Sequence, residues 1–474
     1  MTAPGRGAPA TSRGDAAGRD GATLGRALRG TLRRSEHGDL RLPERDPVAV
    51  LEQQNADRLP DLVGVRIGRM LESPFALYRG SAAVMAHDLA AGPDTGRRVV
   101  ACGDAHVANF GLFASPERRL LFDLNDFDEA WTAPWEWDVK RLAASVVVGA
   151  RDAGLPEAVA RESARTAVRT YREILRTLAR RSVVERFWFR VEADWLVERA
   201  RGDGRRLLRA QAARARRRTS EQVLGRLGTV DDHGRTRIRE DPPLTRRLPA
   251  VSDEDVAESF LRYRRTTRED VQLLLTQLHP VDHVLRVVGV GSVGTRCLLV
   301  LCQGPADEPL FLQVKQAQPS VLATYGGQPY DLPIGRSAPG VGRDGRRVVA
   351  AQRVLQAQSD PFLGWSGLSA DEAPGGRALD FYWRQLRDMK GSIDTRHLPA
   401  SLFEAYAGLC GTLLARAHAQ SPACPVVAAY LGRSEAFDDA VTRWSVAYAD
   451  QVEADHAAVT EAVRTGRLPC DPGV

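Results

Sequence analysis

Asp104, His106 and Asn109 fall within one short stretch, CGDAHVANFG, and Asp123, Asp126 and Asp128 follow in FDLNDFDEA. An Asp, an Asn five residues on and a further Asp beyond a short apolar run suit phosphoryl transfer. The first carboxylate orients or deprotonates the attacking hydroxyl, and the Asn and later Asp hold Mg²⁺ against phosphates. Oxygen ligands suit Mg²⁺, and one or two carboxylates suffice because phosphate and water complete its octahedron. On this reading Asp104 is the base and His106 positions substrate or shapes the loop. Asn109, Asp126 and Asp128 form the metal-ligating set, with Asp123 open as an alternative to Asp126. Acid-rich loops are also ordinary turns, because Asp and Asn favour them.

A second pattern lies downstream. GVGSVG at 289–294 fits G-x-G-x-x-G. A dinucleotide-binding use needs a helix after the glycines to receive the pyrophosphate. Here RCLLVLC follows, a strand-like run. The other use is a hairpin lying over nucleotide phosphates, formed by Gly289, Gly291, Ser292 and Gly294. Lys315, in PLFLQVK at the end of the third run, then falls where a cation would meet those phosphates. No GxxxxGK[ST] loop occurs. Lys315 is one of only three lysines, with Lys140 and Lys390, among 66 basic residues. Arg replaces Lys on most surfaces but not where a compact ammonium is needed, so its position carries weight.

The elements around these motifs are readable in outline. Residues 1–40 lack hydrophobic periodicity and read as a disordered tail. Residues 47–90 read as helices broken at Ser73-Pro74. Val99–Ala101 and Leu120–Phe122 read as a pair of short strands presenting the polar loop between them. Residues 138–226 are helix-like and 228–245 read as a loop. VDHVLRVV, RCLLVLC and PLFLQVK read as an antiparallel meander. A helix over 346–358, a strand at FYWRQL, an amphipathic helix over 402–417 and a helix near 434–465 follow. The 346–358 helix holds no Glu to pair with Lys315; its polar candidates are Gln352 and Gln356.

RG…CGDAHVANFG…FDLNDFDEA…PWEWDVKRLAAS, VGVGSVGTRC, LFLQVKQA and FYWRQLRDMKGS resemble the bacterial family catalogued as domain of unknown function 2252. CGDAHVAN followed by DFDEA…WEWD is more distantly similar to aminoglycoside and choline phosphotransferase-like kinases. That resemblance implies Asp104 as base, Asn109 and Asp126 as metal ligands, and Asp138 as a structural Asp. Cys102 stands where those kinases usually have His, an exchange expected to affect loop packing. The order of segments differs from a kinase, because the catalytic loop precedes the glycine loop. The resemblance therefore implies an α+β, two-lobed, protein-kinase-like fold that is circularly permuted. Residues 41–250 and 395–474 would form the helical lobe and 251–394 the nucleotide lobe, with ATP and Mg²⁺ as cofactors.

Composition narrows the alternatives. The net charge is +6, but residues 1–40 carry +3 and 199–218 carry +8, so the basicity is local. The body makes no strong case for nucleic acid, and the Arg-rich stretch reads as a solvated helix. No run approaches a membrane span. No signal-like segment occurs, and six cysteines without CxxC spacing fit a cytoplasmic protein. The leading expectation is phosphoryl transfer from ATP to a hydroxyl of a small-molecule acceptor. Alternatives are a nucleotide-binding module without turnover and a metal-dependent phosphoesterase built on Asp104, His106, Asp123, Asp126 and Asp128. Trp131, Trp135 and Trp137 are core candidates that could instead line an acceptor pocket. Arg79, in the YRG segment, reads as a surface ion pair or a phosphate contact.

Overall fold

The computed structural model describes residues 13–326, 341–373, 375–386 and 389–473. Mixed α+β architecture follows from the two periodicities in the chain, with long helices at both ends and several separate sheets between. Long helices form the body: Trp135–Asp152, Glu157–Leu178, Ala400–His418 and Ala436–Arg464. Small residues let them approach closely. A Cβ on Gly411 would sit 2.2 Å from the Ala167 carbonyl oxygen, so only glycine permits that contact. Tyr406, Leu413 and Ala417 face the core from one side of Ala400–His418, as the spacing predicted. Ser73 caps Pro74–Gly80 by accepting from the Ala76 N–H at 3.2 Å, which explains the helix break there.

The N-terminal segment corrects one expectation. Residues 1–12 of the expected disordered tail over 1–40 lie outside the described residues, and Arg13–Thr31 is a helix that packs against Cys424–Leu431. Gly25 lies where a Cβ would meet the Val426 carbonyl oxygen at 2.2 Å. Arg29 donates to the Tyr430 carbonyl at 2.8 Å and Arg34 to the Leu431 carbonyl at 2.7 Å. Ala and Gly gave no hydrophobic period because the contact is made by backbone proximity, not by large side chains.

Four strands surround the first motif: β1 (Arg98–Ala101), β2 (Phe110–Ala114), β3 (Leu120–Leu124) and β4 (Trp131–Pro134). The runs expected to pair do not. β1 pairs with β4, and β3 pairs with β2, so the polar loops emerge between two small sheets. The 228–245 segment is also more ordered than expected. β5 (Gly228–Val230) and β6 (Thr236–Ile238) form a hairpin whose turn is held by Asp231, which accepts from the His233 and Arg235 N–H groups.

Strands β7 (Thr245–Arg246), β8 (His279–Arg286), β9 (Cys297–Gln303), β10 (Pro309–Ala317), β11 (Gly364–Leu368) and β12 (Leu379–Gln385) make one sheet. Its order is β11-β12-β10-β9-β8-β7, so β8, β9 and β10 form the antiparallel meander anticipated from sequence. Helix Asp253–Arg264 covers one face through Val256, Phe260 and Tyr263. Lys315 in β10 sits opposite Tyr382 in β12. The last strand, β13 (Gly391–Ser392), leaves this sheet and pairs with β2. Helix Arg343–Leu355 shares its buried face with the helical body. Among the described residues no helix is long and apolar enough to cross a membrane.

Candidate functional site

The loop after β1 is fixed from below by Asp138, in the first turn of Trp135–Asp152. Its carboxylate accepts from the Cys102 N–H at 2.6 Å and the Gly103 N–H at 2.9 Å. His418 Nε2 lies 3.1 Å from the same carboxylate, and its Nδ1 meets the Tyr171 hydroxyl at 2.8 Å. Asp138 and His418 are buried, so this chain of polar contacts substitutes for water. Gly103 has φ +79°, and a Cβ there would stand 2.3 Å from the Glu129 carbonyl oxygen. Burial pushes the Cys102 thiol well above its ordinary pKa, and the thiol meets the Asp126 carbonyl at 3.4 Å. Cys102 therefore packs the loop.

Asn109 ties the two acidic segments together: its amide donates to the Asp104 carbonyl at 2.9 Å and the Asp126 carbonyl at 3.2 Å. Asp104 Oδ1 accepts from Arg141 Nε at 2.8 Å and Nη2 at 2.6 Å. Arg141 in turn lies 4.3 Å from the centroid of the Tyr78 ring. His106 Nε2 stands 3.6 Å from Asp104 Oδ2. Burial pushes His106 down to about 4 against the pull of Asp104, so the imidazole is neutral at pH 7.

Lys315 reaches this loop from the six-stranded sheet. Its ammonium lies 3.4 Å from Asp126 Oδ1 and also contacts Asp128 Oδ2. The Tyr382 hydroxyl donates to Asp128 Oδ1 at 2.5 Å. Burial would raise Asp126, yet Lys315, Arg384 and Lys390 overcome it and hold Asp126 well below the usual carboxylate range. Burial and the neighbouring Asp126 push Asp128 up instead. Burial alone would lower Lys315, but the two carboxylates keep it charged. Burial and Arg384 bring Lys390 down to about 7, against the weaker pull of Asp126 and Asp128.

The helix expected to supply a counter-charge does other work. Arg347 donates to the Asp128 carbonyl at 3.0 Å and the Ala130 carbonyl at 2.7 Å, fixing the acidic loop's backbone. Gln352 donates to Gln356 at 3.0 Å, and Gln356 donates to the Leu124 carbonyl at 2.8 Å. Asp123 is held away from the cleft. Its carboxylate accepts from the Leu124 N–H at 2.9 Å and the Ala357 N–H at 2.8 Å, and burial raises its pKa. Of the two candidates left open by spacing, Asp126 is therefore the one at the cleft.

The glycine turn joins β8 to β9 and leans on the segment before Met70. Arg69 donates to the Gly289 carbonyl at 2.7 Å, and the Leu59 N–H donates to the Gly294 carbonyl at 2.8 Å. Gly289 and Gly294 have φ of +69° and +87°, which favour glycine. Ser292 donates to the Val288 carbonyl at 2.9 Å, closing the turn on itself. Gly294 packs on Arg58 instead of facing the cleft.

Two cavities meet beneath this turn. One, of about 310 Å³, is lined by Gly289, Ser292, Lys315, Arg384, Lys390 and Asp126. The other, of about 170 Å³, is lined by Gly291, Asp104, His106, Asn109, Asp128 and Arg79. Asp126, Gly289 and Ser292 belong to both. Tyr382, Arg384 and Lys390 were missed in the sequence. FYWRQL and the rare third lysine were visible, but nothing local said which residues of the strand face the cleft. Trp135 is buried against Tyr171 and Phe437, and Trp131 and Trp137 are also buried, so these are core residues.

Among the described residues no cluster of three or more His, Cys, Asp or Glu side chains could hold a metal ion. The cleft offers two carboxylates, Asp126 and Asp128, and the Asn109 amide. That donor set is oxygen-only and fits Mg²⁺ completed by phosphate and water.

The family model described as "Uncharacterized protein conserved in bacteria (DUF2252)" matches residues 58–462, and the chain belongs to that family. No curated protein and no solved structure matches it.

Proposed function

We propose that the chain is a phosphotransferase that moves the γ-phosphoryl group of Mg-ATP to a hydroxyl, on a circularly permuted, two-lobed kinase-like fold. The observation that carries this reading is the meeting of Lys315 with Asp126 and Asp128. These residues lie 189 and 187 positions apart in the chain, yet glycine turn, lysine and paired acids converge on one cleft. A nucleotide's phosphates would lie between the turn and Lys315, with Arg384 and Lys390 adding positive charge. Asp126, Asp128 and Asn109 would hold Mg²⁺, which supplies charge neutralisation for the phosphates when bound. Lys315 would exchange its contacts with Asp126 and Asp128 for the nucleotide phosphates. Asp104 then faces the acceptor hydroxyl, positioned by Arg141 and by the Asp138 support of its loop.

A second reading is supported by one contact. Arg141 donates twice to Asp104 Oδ1, so that oxygen is already occupied before any acceptor hydroxyl arrives. Nucleotide binding without turnover accommodates that arrangement.

Thermal unfolding with Mg-ATP, Mg-GTP and metal alone tests the shared premise. Mg-ATP is expected to raise Tm in the wild type but not in Asp126→Ala or Lys315→Ala. Unchanged Tm with every nucleotide removes both readings. Transfer from labelled ATP that disappears in Asp104→Asn selects the enzyme over the inert binder.

A further inference from the structure

The smaller cavity holds a cation with no assigned use. Arg79, on helix Pro74–Gly80, lines it beside Asp104 and His106. The surface ion pair anticipated from sequence is absent. The Arg79 side chain makes no hydrogen bond or ion pair with any described residue, and its Nε is buried without a partner. A guanidinium so placed keeps most of its hydrogen-bonding capacity for something else.

The carboxylates that share the smaller cavity with Arg79 are engaged elsewhere, while Glu72 and Asp152 act on it from the adjoining hollow without forming an ion pair. Asp104 is held by Arg141, and Asp126 and Asp128 by Lys315. Glu129 accepts from the Val321 N–H at 2.8 Å, and burial pushes it up to about 7. Position matters as much as charge. Arg79 does not line the cavity that contains Lys315, Arg384 and Lys390. It lines the Asp104 side and continues into an adjoining hollow with Asp152, Asp394 and Arg396. A hydroxyl facing Asp104 must occupy this space. The walls include Gln54, Gln316 and Gln318 and no Phe, Tyr or Trp, which suits a small polar molecule over a flat apolar one.

We infer that the acceptor is a small hydroxylated anion whose carboxylate or phosphate is bound by Arg79 while its hydroxyl faces Asp104. This rests on the phosphotransferase reading above. The acceptor oxygen forms the new O–P bond as the bond between the γ-phosphorus and the bridging oxygen breaks. ADP leaves with that electron pair, and the hydroxyl proton passes to Asp104. Arg79 takes no proton; it fixes the acceptor by a paired, charge-assisted contact.

Matched acceptors test this: glycerol, glycerate and glycerol 3-phosphate, each with labelled Mg-ATP and with wild type, Arg79→Ala and Arg79→Lys. The wild type is expected to transfer to a charged member at least tenfold better than to glycerol. The carboxylate and phosphate arms tell the two anions apart. Arg79→Ala is expected to lose that preference and Arg79→Lys to restore part of it, with the Mg-ATP thermal shift intact in all three. The same charged probes should raise Tm in the presence of Mg-ADP for wild type but not for Arg79→Ala. Equal use of glycerol, or no charged probe giving either transfer or a Tm shift, overturns the inference. So does an equal loss for neutral and charged acceptors, which would assign Arg79 to the transferring phosphate. Failure of Mg-ATP to stabilise the wild type is a different result, and removes the phosphotransferase reading itself.

Discussion

On the wall of the cleft built from the loops that follow β1 and β3 the carboxylates are committed to internal partners, whereas the glycine turn opposite is held through its backbone. Asp138 takes two N–H groups and His418, Asp123 takes two N–H groups, and Asp104 takes Arg141. Across the cleft, Arg69 and the Leu59 N–H grip carbonyls of the turn, and Val293 is its buried anchor. Lys315 reaches into the cleft from the sheet and is paired with Asp126 and Asp128, and Lys390 lines the same cavity. The difference teaches where rigidity is placed. On the phosphotransferase reading proposed above, Asp104, the group that would meet the acceptor hydroxyl, is fixed before any ligand arrives, while the glycine-turn side would exchange its contacts on binding.

The largest effect should come from breaking the rigid wall. Asp138→Ala leaves two buried N–H groups and the His418 ring without their acceptor. Loss of a buried charge and its network is expected to cost about 3–5 kcal/mol, read as a fall in the urea unfolding free energy. A loss below about 1 kcal/mol would mean that the loop does not depend on this support. Lys315→Met should behave differently. Asp126 and Asp128 keep 41% and 30% of their side chains exposed, so water can replace the ammonium. Stability should fall less than in Asp138→Ala. Mg-ATP binding should weaken by about 10- to 100-fold, the equivalent of a charged hydrogen bond of about 1.5–3 kcal/mol. Calorimetric titration measures it. Collapse of the fold with intact binding in the remaining folded fraction would reverse the comparison.

Much of this contrast was legible in the sequence, but unevenly. Local signals carried the meander, the glycine turn and the helix break at Ser73-Pro74, because each depends on neighbours a few residues away. The grouping of Asp104, Asn109 and Asp126 was legible for the same reason. The pairing of β1 with β4 was not, since two apolar runs flanking a loop imitate a hairpin. The docked N-terminal helix was hidden because Gly25 acts by being small, and an amphipathic pattern records only large side chains. The partner of Lys315 was sought in a helix, where a Glu would be read locally. It lies instead in the acidic loop, and only the folded chain brings Asp128 there.

The helical body behind the rigid wall offers a pH test. His37 is fully buried against Trp135 and Phe437, with Nε2 2.7 Å from the Tyr430 hydroxyl. Burial, with help from Lys140, pushes its pKa down to about 3 from an ordinary 6.5. Below pH 6.5 the unfolded chain takes up a proton that the folded chain refuses. His37 therefore contributes stability above pH 6.5 that is lost as pH falls toward 3, by at most about 1.4 kcal/mol per pH unit. Glu136, raised to about 7 by burial, acts with the opposite sign, so the informative quantity is a difference. His37→Phe should make the slope of unfolding free energy against pH less positive than in wild type between about 6 and 4.5, by at most about 1.4 kcal/mol per pH unit, and leave the opposing Glu136 slope exposed. Identical slopes would mean that the body is not closed to protons.

The smallest effects should distinguish two glycines of the turn. Gly294 has φ +87°, and a Cβ there would come within 3.0 Å of the Arg58 Cβ. Gly294→Ala is therefore expected to cost about 1–2 kcal/mol through left-handed backbone strain, and the contact with Arg58 adds to it. Gly291 carries no such backbone demand, and its nearest neighbour would be the Arg79 carbonyl oxygen at 3.4 Å, an ordinary contact. Gly291→Ala should change stability by less than about 0.5 kcal/mol. Yet Gly291 lines the cavity beside Asp104, so a methyl group there narrows the space for ligand. Unfolding curves and Mg-ATP titrations on both variants should therefore dissociate, with Gly294→Ala moving stability more and Gly291→Ala moving binding more. If Gly291→Ala costs as much stability as Gly294→Ala, the turn is packed rather than hung from its carbonyls. The contrast between the two walls would then fail at its mobile end.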